Sequence, residues 1–447
     1  MKDSIKLRKR DGFASRWGFI LACIGSAVGM GNIWRFPVLV SQWGGMTFLI
    51  PYLIFVALIS CTGVIAEFSL GRMAGAGPVG AFAMCTEQKG SRKIGEIIGI
   101  IPILGSLLLA IGYTCVMGWV FKYFYYAVNG NLTSFSNDMD KIGSTFGKTA
   151  SSFGANIWLV LAVFVSFIIL SKGISKGIEK VNKVMMPVLF FLFLGLAIYI
   201  FFQPNSLGGY KYIFTINLKG LLDIKLWIYA FGQAFFSLSV AGNGSVIYGS
   251  YLSKEEDIPY SAKNVAIFDT LAALLASFVI IPAMAVGGAT LSKGGPGLLF
   301  IYIVNVINSM IGGRILIVIF YLCILFAGVT SIINLYEVSV SYLEEKMRLN
   351  RVVSSFIIHF IGGGIALLIQ GIVAPWMDFV SIYICPLGAF LAGIMFFWVY
   401  GKDRALNAVN LGANKRVGSV FYFTGKYIYC ALAVLALIIG AILGGIG

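Results

Sequence analysis

The chain has 447 residues, of which 59% are hydrophobic and only 11% are Asp, Glu, Lys or Arg. A soluble domain carries roughly 25% charged residues, so most of this surface faces something other than water and a soluble multi-domain protein is excluded. The net charge of +15 would suit nucleic acid, but the basic residues lie in short connections and not on one soluble domain, which excludes that partner.

Residues 1–13 read as a basic, polar cytoplasmic segment with no A-x-A-like cleavage site after it. Hydrophobic windows about 20 residues long then predict eleven spans: 14–40, 45–72, 95–127, 157–171, 181–202, 225–251, 260–290, 312–343, 352–371, 375–400 and 420–445. The fold class is an all-α membrane protein surrounded by lipid. Span 3 exceeds one crossing and is expected to tilt or project. Lysine and arginine crowd the N-terminal segment and the connections after the even-numbered spans, as at Arg72, Lys89, Arg92 and Lys93. The other side holds few, such as Lys141, Lys148 and Arg314. The bias predicts a cytoplasmic N-terminus, an extracytoplasmic C-terminus and a multi-pass protein of the cell inner membrane. The longest outer connection, 128–156, contains the sequon Asn131-Leu-Thr133, read as a chance match.

Span 1 contains Gly25-Ser-Ala-Val-Gly-Met-Gly31-Asn32-Ile-Trp-Arg35-Phe-Pro37, and span 6 contains Phe235-Phe-Ser-Leu-Ser-Val-Ala-Gly242-Asn243-Gly244-Ser245. Small-residue runs lower the cost of unwinding an apolar helix. Unwinding frees backbone carbonyls as oxygen ligands for a small cation and exposes helix-end amides to a carboxylate. Such backbone survives at membrane depth only where it lines a cavity. Close packing through Gly25-xxx-Gly29 is the competing explanation; Asn32, Arg35 and Pro37 weigh against it. Matching interruptions five spans apart are the signature of an inverted-repeat transporter.

Thr330 and Ser331 in span 8 are adjacent hydroxyls that can bond back to the preceding turn. Asp269 in span 7 is a carboxylate at membrane depth and requires a cation, a partner or a proton. Glu67 in span 2 either supports broken backbone or takes part in transport. The seven cysteines form no C-x-x-C and read as buried apolar residues. His359 is the single histidine, so neither a multi-histidine metal site nor a Ser-His-Asp set can be assembled around it. Gly75-Ala-Gly-Pro-Val-Gly80 matches G-x-G-x-x-G but follows a membrane helix, and no P-loop occurs. The chain does not read as an enzyme.

These residues identify a family resemblance. Arg16-Trp-Gly, Gly25 through Pro37, Gly44-Gly, Phe48-Leu-Ile-Pro51-Tyr, Glu67, Gln233 through Ser239, Tyr248 through Tyr251 and Ala327 through Ser331 resemble the neurotransmitter:sodium symporters, in particular their bacterial amino-acid members. The resemblance implies a five-plus-five inverted repeat, 14–202 and 225–400, with helices 1 and 6 broken and 420–445 as an additional eleventh helix. It implies sodium-coupled import of a neutral amino acid, hydrophobic or aromatic. A polar or other small amine substrate, or a substrate sensor without net transport, is the alternative.

Two sodium sites are implied. The first takes the Ala27 carbonyl, Asn32, Ser237 and Asp269. The second takes the Gly25, Val28 and Ala327 carbonyls with Thr330 and Ser331. Oxygen sets of little net charge suit a monovalent cation better than calcium. The substrate carboxylate is expected at the Gly29–Gly31 amides and the Tyr113 hydroxyl, its amino group at carbonyls of spans 1 and 6, with Ala27, Ser237 and Ser331 shared between ion and substrate. Its side chain is expected against Leu109, Phe236, Ser239, Gly242 and Leu335. Arg35 with Asp378, and Arg10 with Glu345, resemble outer and inner gate pairs. Asp269 stands where a familiar bacterial member has Asn and animal members rely on chloride, which implies no chloride requirement. Gly242 takes the place of a bulky aromatic and opens the pocket; Asn243 offers a polar contact there.

Overall fold

The computed structural model describes residues 11–135, 138–240, 244–287 and 295–445. Among them the chain is helical, with no strand. Ser15 opens the first helix, α1 (Arg16–Ala27), by accepting the Gly18 N–H on its hydroxyl. The carboxylate of Glu179 accepts from Ala14 N–H at 2.6 Å and the Ser15 hydroxyl at 2.9 Å and so holds this end of the helix. The helix stops at Ala27, where Val28 turns extended, and α2 (Gly31–Gln42) leaves at 57° to α1. The predicted interruption of span 1 is therefore a bend inside one apolar segment.

The remaining helices follow in order. They are α3 (Met46–Ala74), α4 (Pro78–Glu87), α5 (Arg92–Val128), α6 (Met139–Ala150), α7 (Asn156–Ser171), α8 (Ile174–Phe201) and α9 (Ser206–Ile213). Then come α10 (Ile224–Ser237), α11 (Gly244–Gly249), α12 (Ile258–Val286), α13 (Leu298–Asn308), α14 (Gly313–Met347), α15 (Arg351–Ile369), α16 (373–400), α17 (Lys402–Asn410) and α18 (Ser419–Leu443). Among the described residues, seven helices are long and apolar enough to cross a bilayer, or eight if α1 and α2 form one span. A 3-10 turn, Gln370–Ile372, joins α15 to α16, so spans 9 and 10 run on as one helical stretch. The segment predicted as span 4 is helical over Asn156–Ser171, and that predicted as span 6 is divided between α10 and α11. Ala241, Gly242, Asn243 and Arg10 lie outside the described residues.

Lipid gives helices no hydrophobic reason to associate, so close backbone packing carries the contacts. The clearest case joins α3 to α11. A Cβ on Gly71 would lie 1.9 Å from the Val246 carbonyl oxygen, and one on Gly249 would lie 2.4 Å from the Phe68 carbonyl oxygen. Two glycines thus seat the second half of span 6 directly on span 2. α10, the first half of span 6, packs on the opposite part of α3, and α1 packs among α8, α12 and α14. The bend of span 1 consequently lies among several packed helices.

Candidate functional site

The bend at Val28 removes the next turn of helix, so the carbonyls at the end of α1 lose their ladder partners. Two turn towards α14: the Ser331 hydroxyl lies 3.1 Å from the Val28 oxygen and 3.4 Å from that of Gly25. One turn of α14 brings in Thr330, whose hydroxyl donates to the Phe326 and Ala327 carbonyls at 2.9 and 3.1 Å. Gly25, Val28, Ala327, Thr330 and Ser331, the set the family resemblance implies, therefore lie near one another. Glycine is needed at the contact: a Cβ on Gly25 would lie 1.9 Å from Asn182 Oδ1 and 2.9 Å from Thr330 Cβ.

Asn32 lies in the π-helical turn Gly31–Arg35, which rotates its amide towards α10 and α12. Its Nδ2 donates to Asp269 Oδ1 at 2.7 Å, to the Asp269 carbonyl at 3.3 Å and to Ser237 Oγ at 3.2 Å. The Ser237 hydroxyl donates to Asp269 Oδ2 at 2.6 Å. Asn32 Oδ1 accepts the Gly29 N–H at 3.1 Å, which ties the amide back to the bend. All three side chains are buried. Span 1, the end of α10 and span 7 thus meet through hard oxygens and one carboxylate, the donor types that suit a small cation. Ala27, the remaining expected member, lines the adjoining cavity.

That cavity has a volume of about 390 Å³. Ala27, Gly29, Gly31, Leu109, Tyr113, Phe236, Ser237, Ser239, Ser331 and Leu335 all border it, so the described members of the expected substrate set come together. Its lining is mainly apolar with a few polar groups, the usual character of a small-molecule site. The expected carboxylate end differs in detail. Gly29 N–H is engaged by Asn32, and Met30 N–H donates to the Tyr113 hydroxyl at 3.1 Å.

Ser239 has a φ of +55°, a left-handed conformation that is costly for a residue with a Cβ. Its hydroxyl donates to the Ser26 carbonyl at 3.0 Å and ties the two breaks together. Ser239→Ala keeps the strain and loses the tie. It is expected to raise the substrate concentration for half-maximal binding about three- to tenfold, from the roughly 0.5–1.5 kcal/mol of one hydrogen bond, measured by equilibrium binding.

Arg35 and Asp378 both border the cavity. Among the described residues they form no ion pair, and the Arg35 guanidinium carbon lies 5.4 Å from the centre of the Phe236 ring. At the other end of α14, Glu345 accepts from Gly77 N–H at 3.0 and 3.2 Å and from the Ser341 hydroxyl at 2.9 Å. Arg10, its expected partner, lies outside the described residues. Sequence reasoning missed a polar knot nearby. Buried Glu337 accepts from Arg351 and from the Tyr251 hydroxyl, while Arg351 Nε donates to the Leu170 carbonyl at 2.7 Å. It also missed Asn334, a buried amide bordering the cavity three residues beyond Ser331. The i, i+3 spacing on one helix face was the available signal.

Comparison with known proteins fits this arrangement. The family model described as the sodium:neurotransmitter symporter family matches residues 10–138 and 134–445. An uncharacterized sodium-dependent transporter of Methanocaldococcus jannaschii is 30% identical, over 92% of this chain and 86% of that protein. A second, from Bacillus subtilis, is 28% identical over 96% of both chains. The crystal structure of MhsT in complex with L-phenylalanine superposes with a TM-score of 0.84 at 30% identity, covering 96% of this chain and 99% of that one. A bent first span, oxygen clusters at its bend and a family match along nearly the whole chain lead to one statement: this is a multi-pass membrane transporter belonging to the sodium:neurotransmitter symporter family.

Proposed function

We propose that the protein imports a neutral amino acid, hydrophobic or aromatic, together with sodium at two sites by alternating access. The observation that carries this is the meeting of Asn32, Ser237 and Asp269 beside an apolar cavity at the break of span 1. Ala27, Asn32, Ser237 and Asp269 hold the first ion; Gly25, Val28, Ala327, Thr330 and Ser331 hold the second. The substrate carboxylate lies by Gly29, Gly31 and Tyr113 and completes the first site, so ion and substrate stabilise one another. The relative seen with L-phenylalanine supports an apolar or aromatic side chain, which lies against Leu109, Phe236, Ser239 and Leu335.

The chain is organised as repeats 14–202 and 225–400, inverted with respect to one another, with 420–445 as the eleventh span. Its N-terminus is cytoplasmic and its C-terminus extracytoplasmic, in the cell membrane. Arg35 and Asp378 close the cavity from outside over Phe236; Glu345 with Arg10 closes it from inside. Loss of the second ion frees α1 to move. The membrane potential contributes about 2.3 kcal/mol per charge per 100 mV to uptake. Asp269 supplies the fixed negative charge, so chloride is not required.

The test is uptake of labelled L-phenylalanine into proteoliposomes under an inward sodium gradient. Accumulation that collapses when sodium is equal on both sides, and persists when gluconate replaces chloride, is expected. Uptake indifferent to the gradient overturns symport; uptake abolished without chloride overturns the role of Asp269.

A further inference from the structure

α16 ends at Tyr400 and α18 begins at Ser419, on the side where Arg72 closes span 2. α17 lies between them in sequence and is held there by Arg72, whose Nη2 donates to the Ala408 and Leu411 carbonyls at 2.7 and 2.8 Å. This is the polar limit of the two spans, and its surface is aromatic: Trp398, Phe423 and Tyr427 are all exposed. Rings of this kind belong at a membrane–water interface. Of the seven spanning helices among the described residues, α18 is the least enclosed, with 28% of its apolar stretch buried, so lipid reaches this surface directly.

Two lysines stand among the rings. Lys426 Nζ lies 4.2 Å from the centre of the Trp398 ring and 5.5 Å from that of Tyr427. Lys402 Nζ lies 5.2 Å from the centre of the Phe423 ring. Phe423 and Tyr427 stack, with centroids 6.2 Å apart and planes at 7°. The two ammonium groups therefore flank one pair of rings. Trp398 Nε1 donates to the Lys426 carbonyl at 3.3 Å and fixes α16 against α18 at this level. Among the described residues neither lysine is in an ion pair. Lys426 lies about two turns inside α18. Ring faces attract a cation but carry no net charge to neutralise it. Two neighbouring cations on a lipid-facing surface call for an anion.

We propose that the adjoining ends of α16 and α18 bind the headgroup of an anionic phospholipid. Lys402 and Lys426 hold its phosphate, and Trp398, Phe423 and Tyr427 flank the glycerol. The acyl chains run over Leu435, Ile438 and Ile442, which are exposed further along α18. A zwitterionic headgroup would bring its own cation towards two lysines, so charge complementarity selects a lipid of net negative charge. None of these residues borders the central cavity, so the site stands apart from the transport reading.

The experiment is native mass spectrometry of the purified full chain in neutral detergent, titrated with dioleoylphosphatidylglycerol and with dioleoylphosphatidylcholine. The native protein is expected to bind the anionic lipid at least about tenfold more tightly. In Lys402→Gln/Lys426→Gln that ratio is expected to fall to within about twofold of one. Lys89→Gln/Lys93→Gln removes the same charge from the connection after span 2 and is expected to keep the native ratio. Equal affinity of the native protein for the two lipids overturns the proposal without any variant. A Lys89→Gln/Lys93→Gln protein that loses the preference as fully as Lys402→Gln/Lys426→Gln also overturns it, because overall charge and not this site would then select the lipid.

Discussion

Asp269→Ala raises the sodium concentration for half-maximal substrate binding by at least about tenfold. Asp269 is the one carboxylate in a buried cluster and accepts from both Asn32 Nδ2 and the Ser237 hydroxyl. Alanine removes the only carboxylate of that set and leaves the buried Ser237 hydroxyl without its acceptor, while Asn32 Nδ2 loses its shortest bond. Hydrogen bonds to charged groups contribute roughly 1.5–3 kcal/mol each, which corresponds to about ten- to a hundredfold in affinity. Asp269→Asn separates the two losses, since it keeps the shape and a hydrogen-bonding oxygen but not the charge. Asn32→Ala is expected to act in the same direction. Sodium titrations followed by labelled amino acid measure both, and unchanged sodium dependence in Asp269→Ala and Asn32→Ala would remove this site.

Gly71→Val is expected to leave little folded protein. Its first side-chain carbon would lie 1.9 Å from the Val246 oxygen and 2.9 Å from Ser250 N, both backbone atoms with nowhere to rotate. α3 and α11 would have to separate, and Gly249 already presses on Phe68 from the other side. Overpacking costs about 1–3 kcal/mol where side chains can yield; here the backbone must move, so the loss lies at or above that range. Gly195→Ala is the control, because nothing lies within 4 Å of its added Cβ. In detergent, Gly195→Ala is expected to elute as a single peak at the native melting temperature and Gly71→Val to aggregate. Equal melting temperatures would contradict the contact.

The sequence made the apolar segments and the break in span 1 legible, because both rest on local composition. Gly25, Gly29 and Gly31 marked the bend, and the structure shows α1 ending at Ala27 and α2 leaving at an angle. Span 6 was legible as a small-residue run, but its central residues 241–243 lie outside the described chain. The carbonyl-and-hydroxyl clusters were not readable from local pattern. Asp269 and Ser237 are 32 residues apart and become partners because α10 and α12 both meet the turn Gly31–Arg35; resemblance supplied that pairing. Spacing also does not disclose where a long side chain goes. Arg35 and Asp378 border one cavity, and the Arg35 guanidinium lies over Phe236, a contact available to a planar cation beside an aromatic ring. Glu337 and Arg351 carried no signal above the surrounding helix, since one polar residue on a long apolar face looks like any other until its neighbours are known, and for Asn334 the only signal was its spacing from Ser331.

The central claim is that sodium and an amino acid meet at the break of span 1 and stabilise each other there. Equilibrium binding of labelled L-phenylalanine in sodium and in potassium, followed by sodium titration with and without saturating amino acid, tests it most directly. The account predicts binding in sodium only, and an increase in sodium affinity by the same factor that sodium increases amino-acid affinity, as linkage demands. Equal binding in potassium, or a sodium affinity indifferent to the amino acid, would contradict it.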